Sequence, residues 1–270
     1  EPISGDASIV TPRQVYEKLT LEGWKVHYHR IGITDEQAPT TDDFVDLLKL
    51  LRTYYPVPTD SLAQSNAVPS SVKDTLAQSS TLALSNTHFI FNCQMGRGRT
   101  TTGMVIACMY IRWLHPSFAS QTHPASGNTR VETTEFKSIL RLTRALTNGP
   151  QAKMEVDTCI DMCSTMQNLR ESIKSLKIQW TYAKDVEQKS FYYERAINYL
   201  KRYFLLIVFA SYLHEQDPHN APFKQSFDEW YKARDEFATL LENVTLDEAL
   251  PATKVETPGV RRKIEANEAN

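Results

Sequence analysis

One stretch limits the fold more than any other: residues 88–114, HFIFNCQMGRGRTTTGMVIACMYIRWL. Its opening, His88–Asn92, is short and apolar, as in a buried strand. Its second half, Thr100–Leu114, is apolar nearly all round (Met104, Val105, Ile106, Ala107, Cys108, Met109, Tyr110, Ile111), as in a helix enclosed in the middle of a fold. Between them Cys93 to Arg99 form a loop. It holds Gly96 and Gly98, two of only 9 glycines in the 270-residue chain. A strand that passes through such a loop into a buried helix implies an α/β core.

The loop has a chemistry of its own. Glycines let its backbone curl so that successive N–H groups point inward, and the new helix adds its free N–H groups and positive dipole end. The result is a concave anion site with the Cys93 thiol at its base. In that field the thiolate is favoured and its pKa falls. Arg99, at the helix start, can hold two phosphate oxygens in a bidentate fork. Cys93 would then attack phosphorus and form a phosphocysteine, and Thr100 can donate a hydrogen bond to the sulfur. A buried, inert cysteine before an ordinary helix is the competing reading. The strand, both glycines, Thr100 and the apolar helix together weigh against it. Arg97 is a second loop cation: either it suits a ligand with several phosphates, or it faces solvent. Asn92 can orient the loop through side-chain hydrogen bonds.

A leaving oxygen needs a proton donor. The segment Trp24–Ile33 (WKVHYHRIGI) reads as a second strand, and Asp35 lies at its end, where open α/β folds collect their sites. Asp35 is the leading candidate for a general acid, Glu36 the runner-up, with Asp42 and Asp43 further back. His29 and Arg30 either line the pocket or alternate out of the sheet.

The other segments read as helices: 11–22, with Thr11 as cap and Pro12 at its first position, then Asp42 to Tyr55, and after 132 the spans 132–148, 151–176, 186–214 and 223–242. Residues 56–87 and 115–131 read as insertions, with a short helix near Val72–Leu82. The tail 246–270, charged and with two prolines beyond position 250, reads as disordered. The aromatic run Phe191, Tyr192, Tyr193, Tyr199, Tyr203, Phe204 has helical spacing and reads as core. Arg195, Lys201 and Arg202 on the same helix read as a solvated face. Cys159 and Cys163, four apart, share a helix face and read as core residues rather than metal ligands.

Composition narrows the classes. A net charge of −2 gives no basis for nucleic-acid or membrane binding by bulk charge. Four cysteines in a chain this long are no disulfide framework and point to a reducing, cytoplasmic setting. The opening Glu1 to Asp6 is polar and acidic, unlike a secretory signal. The longest apolar run, Tyr203–Ala210, is too short to span a bilayer.

The loop NCQMGRGRTTTGM resembles that of the paladin family, within the wider cysteine phosphatases that include the protein-tyrosine-phosphatase-like phytases. So do TPRQVYEKL, YHRIGITDEQAP, MEVDTCIDMCSTMQNLRESI and ERAINYLKRYFLLIVFASYL, so that the resemblance covers most of residues 11–240. It implies a cysteine-phosphatase fold, with a small, mainly parallel sheet flanked by helices and a helical C-terminal extension. The expected organisation is a core over 1–180 with both insertions, an extension over 181–245 packed on it, and the tail. The resemblance implies Cys93 as nucleophile, Arg99 as phosphate-binding arginine and Asp35 as general acid. Gln94, Met95, Gly96, Arg97 and Gly98 match the cradle, joined by Thr100 and Arg30 as substrate contacts. Arg97 falls where lipid-phosphatase relatives also carry a basic residue. The substrates implied are phosphorylated small molecules or lipid headgroups, inositol polyphosphates or phosphoinositides, with no cofactor or metal. Asn92 departs from the pattern, since many cysteine phosphatases have His before the nucleophile. Members of the family can carry several phosphatase-like units in one longer chain. A protein tyrosine or dual-specificity phosphatase, a phosphate-binding scaffold without catalysis and a rhodanese-type sulfurtransferase are the alternatives, the last disfavoured by the glycine placement and Thr100.

Overall fold

A computed structural model describes residues 10–57, 87–116, 136–218 and 222–246. The expected helix near Val72–Leu82 lies outside them. So do the insertions near 56–87 and 115–131 and the tail 246–270, apart from a few end residues. Two compact units divide the chain, Glu1–Gly32 and Ile33–Asn270.

The first unit carries helix α1 (Pro12–Leu21), begun by a capping box in which Thr11 accepts from the Gln14 amide and Gln14 answers to the Thr11 backbone. Behind it the chain turns at Trp24, whose carbonyl accepts from the Val26 N–H at 2.9 Å, and Tyr28 stacks on Tyr16 with ring centroids 5.0 Å apart.

The second unit is helical: α2 (Thr41–Tyr54), α3 (Gly98–Leu114), α4 (Lys137–Ala145), α5 (Gly149–Met162), α6 (Leu169–Tyr182), α7 (Val186–His214), α8 (Phe227–Lys232) and α9 (Asp235–Glu242). Its core is built on α7, which is buried without a break from Tyr203 to Leu213. A helix apolar on all sides needs neighbours all round, and α7 finds them in α3, α5, α6 and α8. Phe44 of α2 meets Phe209 at 5.1 Å and Phe227 at 5.2 Å between ring centroids. The span expected as one helix over 151–176 is two. Asn168 caps α6 by accepting from the amides of Arg170 and Glu171, which breaks the rod at Cys163. The span 223–242 likewise divides, with α8 opened by a Ser226–Glu229 capping box and ended at Ala233.

The expected α/β fold is corrected here. Among the described residues there is no strand and no sheet, parallel or otherwise. Neither 24–33 nor 88–92 forms a regular element, and among the described residues neither has a neighbouring backbone to pair with. Aromatic and β-branched residues favour extended dihedrals, yet a strand exists only where another chain segment accepts its N–H and C=O groups. The period of two survives without the ladder. Phe89, Phe91 and Cys93 are partly covered, while His88, Ile90 and Asn92 are exposed, Ile90 at 89%. No helix among the described residues is long and apolar enough to cross a membrane.

Candidate active site

The site begins with how residues 88–93 meet α3. Phe91 lies so close over Gly103 that a Cβ there would sit 2.7 Å from its ring. That close approach holds the extended segment against the helix, and its alternation turns Cys93 to the covered side and leaves Asn92 exposed.

From Cys93 the chain must reverse into α3 within a few residues. Gly96 makes the turn at φ +67°, a left-handed conformation in which side chains are strained, and its N–H returns to the Cys93 carbonyl at 3.3 Å. Gly98 serves differently. Its backbone is ordinary, but a Cβ would meet Arg202 Nη1 at 2.9 Å. Arg97 precedes α3 with no side-chain cap, so the first helix N–H groups are left to the loop. Thr101 and Thr102 donate their hydroxyls to the carbonyls of Arg97 and Gly98, at 2.9 and 2.8 Å. Gln94, Met95 and Arg97 are exposed.

The electrostatics favour a thiolate. Burial pushes the Cys93 thiol up, but the Thr100 hydroxyl and the backbone N–H groups of Thr100, Arg97 and Met95 outweigh it and bring the pKa down to about 6. Thr100 Oγ1 is buried and meets no other partner among the described residues, so its proton is available to the sulfur as charge develops there. The buried Arg99 Nε likewise has no partner.

The acid segment sits against this loop. Arg99 Nη2 lies 3.1 Å from Asp35 Oδ1. With the Asp35 side chain 59% exposed, such a pair contributes about 0–1 kcal/mol. Glu36, at φ +57°, is ion-paired instead with Arg195 of α7, and the Gln37 carbonyl accepts from Arg202 Nη2 at 2.8 Å. Of the acidic candidates, then, Asp35 is brought to the loop arginine and Glu36 is turned away to α7. Asp43 caps α2 and Asp42 is exposed on it. Arg30 is exposed and belongs to the other unit.

Arg202 and Arg195 are the residues a sequence reading misses. Arg202 is no part of a solvated face: it is 2% exposed, with its guanidinium 4.9 Å from the Tyr199 ring centre. Burial lowers its pKa, partly offset by Tyr199 and Asp35. The available signal was a cation set inside an apolar helical run, where an unpaired charge does not persist.

The remaining thiols are elsewhere. Cys159 and Cys163 are buried, and with Cys108 of α3 they make a cluster near Arg112. Among the described residues no group of His, Cys, Asp or Glu is arranged to hold a metal ion.

The family model for protein-tyrosine-phosphatase-like phytases, described by inositol hexakisphosphate, matches residues 1–111. Paladin of Danio rerio is 28% identical over 268 residues, 96% of this chain and 28% of its own length. Paladin of Gallus gallus is 31% identical over 227 residues, 80% of this chain and 23% of its own. Paladin of Homo sapiens is 30% identical over 205 residues, 73% and 21%. The chain thus spans about a quarter of the length of these relatives. No solved structure matches it.

Proposed function

Because the chain belongs to the paladin family, whose phosphatase-like character it shares, we propose that it hydrolyses phosphomonoesters of inositol polyphosphates or phosphoinositides through a phosphocysteine. The observation that carries this reading is the Cys93 sulfur, ringed by the N–H groups of Met95, Arg97 and Thr100 and by the Thr100 hydroxyl.

The steps follow from the residues present. Arg99 exchanges Asp35 for two phosphate oxygens, and the loop amides take the remaining negative charge. The Cys93 thiolate attacks phosphorus in line, and the bond to the leaving oxygen breaks. That oxygen takes its proton from Asp35, released from Arg99 and protonated for this step. Water then attacks the phosphocysteine, Asp35 accepts the water's proton, the P–S bond breaks, and Thr100 stabilises the departing thiolate. The exposed Arg97 is available to a second phosphate of the same ligand. That is the reason to prefer inositol polyphosphates and phosphoinositides over phosphotyrosine. A reducing, cytoplasmic setting would keep the thiolate free.

A second reading has its own support. Asn92 precedes the nucleophile, and Asp35 occupies the Arg99 fork, as a phosphate-binding scaffold with little turnover would also allow. A phosphate-release panel over inositol phosphates, phosphoinositides and phosphotyrosine peptides separates the readings. Release from the inositol compounds, abolished in Cys93→Ser and reduced in Asp35→Asn, is the expected result. Tight binding without release at any pH from about 4 to 8, a span bracketing the Cys93 pKa, selects the scaffold. Higher kcat/KM on phosphotyrosine peptides selects a tyrosine phosphatase.

A further inference from the structure

Three consecutive residues of the acid segment are each held by a different arginine: Asp35 by Arg99, Glu36 by Arg195 and the Gln37 carbonyl by Arg202. Two of the three arginines come from α7. Arg195 and Arg202 are seven residues apart, two helical turns or roughly 10.5 Å along one face. Of these three arginines Arg202 is the most buried. Its side chain is 2% exposed, and it reaches both parts of the site at once, donating to Gln37 on one side and closing against the Cα of Gly98 on the other. The Asp35–Arg99 pair, largely in solvent, cannot fix the segment by itself.

We propose that Arg202 is a positioning residue for the reaction, a buried clamp that sets the acid segment in register with the phosphate loop. Three observations point the same way. First, a buried guanidinium is expensive unless its donors are used; among the described residues Nε is left without a partner, and the one side-chain hydrogen bond that Arg202 makes is to the acid segment. Second, the missing Cβ at Gly98 is the room that lets the guanidinium reach the start of α3. An alanine there would press on Nη1. Third, the Tyr199 ring, one turn away on α7, supports the guanidinium in place. The charged groups around it are Asp35, Arg99 and the Cys93 thiolate, so the clamp stands among the groups whose spacing it would set. Arg195 holds Glu36 from the same helix. It is a third exposed, and its pair with Glu36 serves as the outer, weaker tie.

This proposal rests on the phosphatase reading, with Asp35 as proton donor. Its test has one arm that needs no turnover. In the whole chain, Arg202→Met should speed backbone hydrogen exchange over residues 33–40 by about tenfold and leave exchange along α3 as in the wild type. Arg202→Lys, which keeps one donor and the charge, should recover most of the protection. Gly98→Ala, which displaces the guanidinium from the opposite side, should reproduce the effect, and it decides the matter if Arg202→Met does not fold. The second arm compares leaving groups. A misplaced proton donor harms an inositol phosphate, whose alkoxide needs the proton, and spares 2,4-dinitrophenyl phosphate, whose leaving group does not. For Arg202→Met kcat should fall about tenfold or more on the former, the low end of what general acid catalysis supplies, and less than about threefold on the latter. Unchanged exchange over 33–40 in both Arg202→Met and Gly98→Ala overturns the clamp. So does an equal loss on both esters, which would mark a general structural role. If the wild-type chain hydrolyses neither ester, the phosphatase reading fails, and the exchange arm alone upholds or overturns the clamp.

Discussion

Two thiol environments flank the first half of α3, and they differ in what surrounds the sulfur. Cys93, shortly before the helix, is ringed by backbone N–H groups and the Thr100 hydroxyl, with an arginine at hand. Cys108, within the helix, meets Cys159 and Cys163, its pKa lowered beside them while theirs are raised, and the Cys159 thiol donates to Glu155 Oε1 at 3.7 Å. Both sulfurs are favoured as thiolates, for unlike reasons. Around Cys93 the donors are backbone amides and the Thr100 hydroxyl. Around Cys108 the neighbours are other thiols, one of them fully enclosed. A low thiol pKa alone therefore does not mark a nucleophile. The proposed role of Cys93 rests instead on its ring of backbone donors and on the arginine beside it.

The largest test of this contrast is chemical labelling. With iodoacetamide at pH 7, Cys93 should react on the order of 10³-fold faster than Cys159, which can react only through opening of the helical core. Peptide mass spectrometry reads each site separately. The Cys93 rate should climb as the pH rises through about 6 and then level off. Labelling of Cys159 within tenfold of Cys93 would erase the distinction between cradle and core.

The ion pairs repeat the contrast, and the core has the stronger one. Arg112, 3% exposed, donates through Nε to Glu155 at 2.6 Å and through Nη2 at 3.3 Å. Glu155→Ala would leave that guanidinium buried without its carboxylate, at about 3 kcal/mol of stability. Urea titration of the variant measures it, and a loss under about 1 kcal/mol would show that the pair is far better solvated than its burial implies.

How much of this was legible in the sequence depends on which force does the positioning. The helices were readable because apolar spacing and caps act locally: Thr11 with Pro12, and Phe44, Leu47, Leu48 and Leu51 along α2. The geometry of the Cys93–Arg99 loop was readable because Cys93, Gly96, Arg99 and Thr100 meet constraints within a short stretch of chain. The sheet was misread because HFIFN and WKVHYHRIGI have the composition of strands, and composition cannot supply the partner backbone that makes one. Arg202 was misread for a related reason. Its charge suggested solvent, while its burial depends on Gly98 and Gln37, more than a hundred residues away in the chain. The break at Cys163 left only a faint trace in the sequence, an Asn168 able to cap α6.

A smaller effect separates the two thiol sites through the pH dependence of stability. The Cys93 pKa is about 6 in the folded chain against 9.0 for the unperturbed thiol. Between these values the unfolded chain holds a proton that the folded chain has released, so stability rises with pH across that window. The contribution is fully present above about pH 9 and is lost as the pH falls through about 6. Cys93→Ala should therefore flatten the rise in urea midpoint between about pH 6 and 9, in reducing buffer. Because Cys93 is only partly covered, solvent screens the effect and the flattening will be modest. An unchanged slope would mean that the loop amides do not favour the thiolate.

The smallest stability effect is expected at Asp35, and its smallness is informative. Asp35 and Arg99 meet at 3.1 Å, but the carboxylate is more than half exposed. Asp35→Asn should change stability by less than about 1 kcal/mol, against about 3 for Glu155→Ala in the core. In the proposed mechanism, a pair that contributed as much as the Arg112–Glu155 pair would hold Arg99 away from an incoming phosphate and tie Asp35 down when its proton is needed. A weak pair lets both groups change partners. If Asp35→Asn instead destabilises the chain by several kcal/mol, the Asp35–Arg99 contact is a structural bond, and the carboxylate is too firmly engaged to serve as a proton donor.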